Sequence, residues 1–216
     1  EEMVAHWWEQ AEIHGVLPLD DRGVELFGSR FRKNSPHPED RRYVYRPPMS
    51  PMPAQASGGV GGRNVDIVAN VTYKKGDEGV LYASGTQNSG ISVFVQNGRL
   101  LLDYNAFGDH TIIESAGLVP EGDHQLRAVL RRGDGMSGYL EVTIDGVSGG
   151  SAEVSLYMRM ISSVGPSVGF DHGSPVSTRY SAPYAYTGEL HEIIIESGPR
   201  RVDTAKAEAQ AEMNRQ

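Results

Sequence analysis

Hydrophobic positions change their spacing three times along this chain, and each change predicts a different kind of structure. From Glu1 to about Gly15, Met3, Trp7, Trp8 and Ala11 recur at helical spacing, which predicts a short amphipathic helix. Residues 16–46 lose that period and form a polar, arginine-rich connector ending in the aromatic alternation Tyr43-Val44-Tyr45. Residues 47–63 read Pro-Pro-Met-Ser-Pro-Met-Pro and later Gly58-Gly59-Val60-Gly61-Gly62, a composition with no period and no core. They are expected to form an exposed, mobile loop.

From Asn64 the pattern becomes that of short strands. Val65–Tyr73, Val80–Ala83, Ile91–Val95, Leu100–Tyr104, Thr111–Ser115, His124–Arg131, Leu140–Ile144, Ser151–Met158 and Leu190–Glu196 are apolar-rich runs separated by turn residues. Asn97-Gly98 and Asp145-Gly146 sit between such runs, and both positions of a two-residue hairpin turn favour positive φ. Many short strands without intervening helices predict a mainly β fold, an antiparallel jelly-roll sandwich over 64–197. In its last strand, Leu190 and Ile193 are three apart rather than two, so a β-bulge is expected between them if both face the core. The tail, 198–216, is rich in Ala, Glu, Lys and Gln with almost no apolar stripe, and is expected to be a frayed helix or disordered.

Composition narrows the function classes. A net charge of −8 argues against nucleic acid as a partner, because neutralising phosphates needs basic surface. The absence of cysteine excludes disulfides, thiolate catalysis and zinc–thiolate sites. No apolar run approaches membrane-spanning length, so no membrane partner is expected. A helix this short is marginal alone, and its two indoles need a surface to lie against. Trp7 and Trp8 therefore predict self-association or a partner surface belonging to a larger chain.

Several segments resemble the C-terminal region of bacterial arylsulfatases. These are Trp7-Trp8-x-x-Ala11-Glu12, Val16-Leu17-Pro18-Leu19-Asp20-Asp21-Arg22, Arg30-Phe31-Arg32, Tyr43-Val44-Tyr45, Asp171-His172-Gly173-Ser174-Pro175-Val176 and Tyr186-Thr187-Gly188-Glu189-Leu190. Leu17 to Arg22 is the most specific part. The family usually reads Gly-Arg-Asp-x-Gly-Ser-Pro-Val at the later segment. Here Phe170 and His172 stand at its variable positions, so no arginine role carries over. Separately, Tyr186-x-Gly188-x-Leu190-x-x-Ile193-x-Ile195 resembles the closing strand of laminin-G-like, concanavalin-like jelly rolls.

The resemblance implies that 1–46 closes a sulfatase domain and that the sandwich packs on that missing catalytic domain. Trp7, Trp8, Asp20, Asp21 and Arg22 would then be interdomain residues, with the Asp-Asp-Arg cluster a structural ion-pair node. The parent would be a sulfuric ester hydrolase using formylglycine and a divalent cation, calcium by expectation. It would be bacterial, with cytoplasm and periplasm both open.

The chain itself carries no such chemistry. Formylglycine arises in Cys/Ser-x-Pro-x-Arg, yet Ser35-Pro36, Ser50-Pro51 and Ser174-Pro175 place proline one residue too early. Ser181-Ala182-Pro183-Tyr184-Ala185 has Ala185 in place of the arginine. Neither Glu192 with Glu196 nor Glu141 with Asp145 has the spacing of a glycosidase dyad. Calcium needs about six to eight oxygen ligands, whereas only Asp171 and Asp109 suggest themselves. No catalytic residue, metal site or cofactor is therefore expected in this chain.

The alternative is a free-standing carbohydrate- or protein-binding module. Its ligand would meet Tyr104, Asn105, Asp109 and His110 on one turn and Asp171, His172, Tyr180 and Tyr184 on another. Aromatic faces there would stack on sugar rings, while amides and carboxylates bind hydroxyls.

Overall fold

In the computed structural model, residues 2–13, 41–54, 57–158 and 164–198 are described. Among them the strands are, in chain order, β1 (Arg41–Tyr45), β2 (Val65–Tyr73), β3 (Gly79–Thr86), β4 (Ser89–Gln96), β5 (Arg99–Ala106) and β6 (Asp109–Glu114). These are followed by β7 (Gly122–Arg132), β8 (Gly138–Ile144), β9 (Val147–Val154), β10 (Pro166–Val168) and β11 (Glu189–Ser197). A six-stranded sheet, β1-β11-β2-β7-β8-β9, faces a five-stranded one, β10-β3-β4-β5-β6, and every paired strand is antiparallel. This is the antiparallel sandwich that the sequence predicts.

Its core forms where the alternating side chains of the two inner faces meet. Val65, Ile67, Ala69 and Val71 of β2 and Leu126, Ala128 and Leu130 of β7 share one buried cluster with Ile91, Val93 and Val95 of β4 and Leu100, Leu102 and Tyr104 of β5. The expected turns are present. Asn97 and Gly98 have φ of 53° and 74°, and Asp145 and Gly146 have 52° and 79°, the left-handed pair that matches strand twist. A third turn of the same kind, Phe107-Gly108 at 59° and 89°, has no comparable signature. There the Asn105 side-chain oxygen accepts the Gly108 N–H at 2.8 Å. The bulge also lies where expected: Leu190 pairs with Val71 and Glu192 with Asn70, leaving His191 as the extra residue.

Four segments differ from the sequence reading. Tyr43-Val44-Tyr45, placed in the N-terminal connector, belongs to strand β1, which pairs with β11 from Arg41↔Ser197 to Tyr45↔Ile193. Tyr45 is buried in the sandwich core, which is why an aromatic alternation stands there. The segment 47–63 is not a bare loop. Val60 is buried, Met49 and Met52 pack on the core, and the Tyr45 hydroxyl accepts the Gly58 N–H at 2.7 Å. The strand placed at Ser151–Met158 is β9, Val147–Val154, because Tyr157 and Met158 turn inward to join the core. Strand β10, only three residues long, has no pattern to announce it.

The sandwich lies within one compact unit, Glu39–Arg200, and helix α1 (Glu2–Ile13) belongs to another. On α1, Met3 and Val4 are exposed and Trp7 and Trp8 are 48% and 53% exposed. The two indoles meet edge to face at 4.8 Å. Asp20, Asp21, Arg22, Arg30-Phe31-Arg32 and the tail beyond Gly198 lie outside the described residues.

Candidate functional site

The outer face of the five-stranded sheet is covered by the chain's own 169–188 segment. Val80, Ala83, Phe94 and Leu101 on that face pack with Val176, and Tyr180 and Tyr184 lie against them. Backbone bonds fasten the cover: Gly169 N–H donates to Leu81 C=O, Val80 N–H to Tyr184 C=O and Asp171 N–H to Pro183 C=O, each 2.8 to 2.9 Å.

The two turns singled out in the sequence meet here, since Asn105 donates to the Val176 carbonyl at 3.3 Å and to that of Gln87 at 2.9 Å. They do not form an open cleft. Asp171 is 1% exposed; one of its oxygens accepts the Val176 N–H at 2.8 Å and the Tyr180 hydroxyl at 2.6 Å. Ser92 meets the same hydroxyl at 2.8 Å. Asp103 is fully buried, with His110 Nδ1 at 2.9 Å and Ser177 as a second partner. Burial pushes both carboxyls above the ordinary aspartate range, and these hydrogen bonds pull partly back. Tyr184 donates to Glu78 at 3.0 Å and stacks on Tyr180; burial and that carboxylate push its hydroxyl up to about 12.

Tyr104 points the other way. It is a core residue, 1% exposed, whose hydroxyl accepts the Met158 N–H at 2.7 Å and whose ring stacks on Tyr157. Of the candidates, Asp109 is exposed, and His172 is half-buried with a buried Nδ1 that has no partner. The cluster is thus mostly a hydrogen-bonded seal between a sheet and its cover, its polar groups already used on protein partners.

A second concavity lies at one end of the six-stranded sheet. Where β1 and β2 begin and β7 and β11 end, a cavity of about 510 Å³ opens. It is lined by Arg41, Arg42, Asn64, Asp66, Arg131, Glu196, Ser197 and Gly198. The register aligns Arg42, Glu196 and Asp66 in one cross-strand row. Arg42 pairs with Glu196 at 3.3 Å, while Asp66 takes both Arg127, at 3.3 Å, and Arg131. The doublets Arg41-Arg42 and Arg131-Arg132 are the available sequence signal, but they matter only once the register brings β1 and β7 to one end. Glu192 and Glu196 are likewise ion-paired, Glu192 with Arg46 at 3.0 Å. Among the described residues, no group of three His, Asp or Glu side chains stands close enough to hold a metal ion, and no helix is long and apolar enough to cross a membrane.

Two antiparallel sheets around one core define a mainly β jelly-roll sandwich. No protein-family model matches the chain. No curated protein matches it either. Among solved structures, the NanB sialidase from Streptococcus pneumoniae is similar at 14% identity with a TM-score of 0.50. The match covers 76% of this chain and 27% of that one. The mouse laminin alpha1 chain, domains LG4-5, matches at 19% identity and TM-score 0.48, over 73% of this chain and 42% of that one. The receptor binding domain of botulinum neurotoxin D matches at 10% identity and TM-score 0.41, over 79% and 41%. This chain therefore spans less than half the length of each. The likeness to the sialidase is one of fold. The sulfatase parentage expected from Leu17–Arg22 is carried by the sequence resemblance alone.

Proposed function

We propose that this chain is a non-catalytic recognition module, a β-sandwich that takes a carbohydrate in the cavity between the ends of β1, β2, β7 and β11. One observation carries this reading. Carboxylate and guanidinium groups from four strands, with the Asn64 side-chain amide just before β2, converge on a single concavity there, as a site that fixes a polar ligand requires. The outer face of the other sheet, by contrast, is closed by its own chain. A glycan array with and without calcium tests the proposal. Specific binding lost in Asn64→Ala and kept in Tyr104→Phe supports it, and no binding in either condition overturns it.

A second reading is favoured by the half-exposed Trp7–Trp8 pair on α1. In it the module is attached to an arylsulfatase-like catalytic domain, α1 lies against that domain, and formylglycine and a divalent cation belong to the domain rather than to the module. The coding sequence upstream decides it, by carrying or lacking Cys/Ser-x-Pro-x-Arg. In the chain as it stands, an unburied indole pair favours self-association. Sedimentation of wild type against Trp7→Ala/Trp8→Ala is expected to show association only in the former. Two equally monomeric, equally stable proteins would remove the anchoring role.

A further inference from the structure

We infer that the cavity at the β1–β11–β2–β7 end is an oxyanion site, built to receive a carboxylate or sulfate group carried on a sugar. The inference rests on the recognition-module reading for the carrier, but on the arginines alone for the anion.

The chain is acidic as a whole, yet this cavity is lined by three guanidiniums, Arg41, Arg42 and Arg131, against two carboxylates, Asp66 and Glu196. Each carboxylate is already committed, and Asp66 serves a fourth guanidinium, Arg127. On Arg42 and Arg131, five N–H donors each leave donors in excess of the acceptors they meet. Arg42 reaches Glu196 through Nε. Arg131 directs Nη1 alone to protein acceptors: Asp66, the Val65 carbonyl at 3.2 Å and that of Leu130 at 3.1 Å. Among the described residues, the paired Nη atoms of Arg42 and the Nε–Nη2 edge of Arg131 have no protein acceptor. Those are the two-donor edges that match a carboxylate or sulfate in the plane of the guanidinium.

The carboxylates fit the same purpose. Asp66 is held between two arginines and Arg131 is tied to two backbone carbonyls, so the Arg131 fork is fixed before a ligand arrives, which lowers the ordering cost of binding. A neutral sugar would leave these forks unmatched. A polyanion such as nucleic acid would meet the remaining acidic surface.

The test uses the whole chain, with ¹⁵N–¹H spectra of the arginine Nε–H groups. Sodium sulfate, sodium glucuronate, glucose and sodium chloride are titrated at matched ionic strength. Saturable shifts of the Arg42 and Arg131 signals with sulfate or glucuronate, and none with glucose or chloride, are expected; the better of the two names the group. Arg131→Lys keeps the charge but loses the fork and should weaken binding about tenfold, the loss of one charged hydrogen bond. Arg42→Gln does not touch Asp66 and serves as the second variant should Arg131→Lys disturb the fold, which its melting temperature reports. Sulfate and glucuronate titrations that follow chloride, or that neither variant changes, overturn the inference. If array glycans still bind in that case, the module reading stands without it; if sulfate saturates and no glycan binds, the oxyanion site stands and the carbohydrate reading falls.

Discussion

Tyr180→Phe tests whether the cover on the five-stranded sheet is held by its buried polar contacts or by packing alone. The substitution keeps the ring, which meets Phe94 edge to face at 5.2 Å and stacks on Tyr184 at 5.1 Å. It removes one oxygen, which donates to Asp171 at 2.6 Å and has Ser92 Oγ at 2.8 Å. A hydrogen bond to a charged group contributes about 1.5–3 kcal/mol, and Ser92, itself fully buried, loses its partner as well. The expected loss is therefore about 2–4 kcal/mol, or a fall of roughly 5–12 °C in Tm for a domain of this size. Urea unfolding should show a lower midpoint with an unchanged slope. Acidification gives an independent check. Burial raises the Asp171 pKa above its unfolded value. Such a group contributes stability that is full below the unfolded pKa and lost as pH rises through the folded one. Wherever Asp171 is ionised it is thus a liability, which the hydrogen bond from the Tyr180 hydroxyl reduces. As pH falls through the folded pKa the carboxyl takes up a proton and needs that bond less, so wild type and variant should converge. A loss under about 0.5 kcal/mol at pH 7 would show that packing alone holds the cover. A gap that widens on acidification would refute the electrostatic argument.

Three further outcomes follow from the same geometry. Gly90→Ala places a Cβ 2.7 Å from Val176 Cγ1 and 2.8 Å from the Ser84 carbonyl. It should destabilise by about 1–3 kcal/mol in urea unfolding, and a neutral result would mean that the cover shifts freely. Phe107 is 74% exposed at φ 59°, a conformation that suits asparagine far better. Phe107→Asn should stabilise by about 0.5–1 kcal/mol, and a lower Tm would show instead that the ring has a partner. Asp145 has its pKa lowered, first by the Gln125 N–H and then by His124. Its contribution is present above the unfolded pKa and lost as pH falls through the folded one, so Asp145→Asn should lose its effect on Tm in acid.

The sandwich was legible because its devices are local. Asn97-Gly98 and Asp145-Gly146 name their own turns, and the three-residue step from Leu190 to Ile193 names its bulge. Phe107-Gly108 was not legible, since its left-handed phenylalanine is tolerated through Asn105 rather than favoured by its own side chain. Strand β1 was missed for a different reason. Tyr43 and Tyr45 alternate as a strand should, but their pairing partner lies some 150 residues on, in β11. The arginine site shares that blindness, because Arg42 and Arg131 become neighbours only through the register of four strands. Asp171, Tyr180 and Tyr184 were recognisable as polar loop residues, whereas their partners Ser92 and Glu78 were not.

One cue in the sequence does bear on where a ligand can bind. Strands with one face in the core alternate, and β7 does so through Leu126, Ala128 and Leu130. Strands β3 and β5 do not: Val80-Leu81-Tyr82-Ala83 and Leu100-Leu101-Leu102 are apolar at both parities and buried throughout. Unbroken apolar runs mark strands covered on both sides. The cover is therefore written into the sheet, and the 169–188 segment supplies it with Val176, Tyr180 and Tyr184. Asp103 and Asn105 are the polar interruptions on that outer face, and each is used in fastening the turn or the cover. Opening this face to a sugar would expose Phe94, Leu101 and Val176 and strand two buried carboxylates, at a cost of several kcal/mol before any ligand contact is made. On the reading proposed above, a sugar carrying a carboxylate or sulfate is met at less cost at the end of the six-stranded sheet, where the Nη atoms of Arg42 and the Nε–Nη2 edge of Arg131 have no protein acceptor among the described residues.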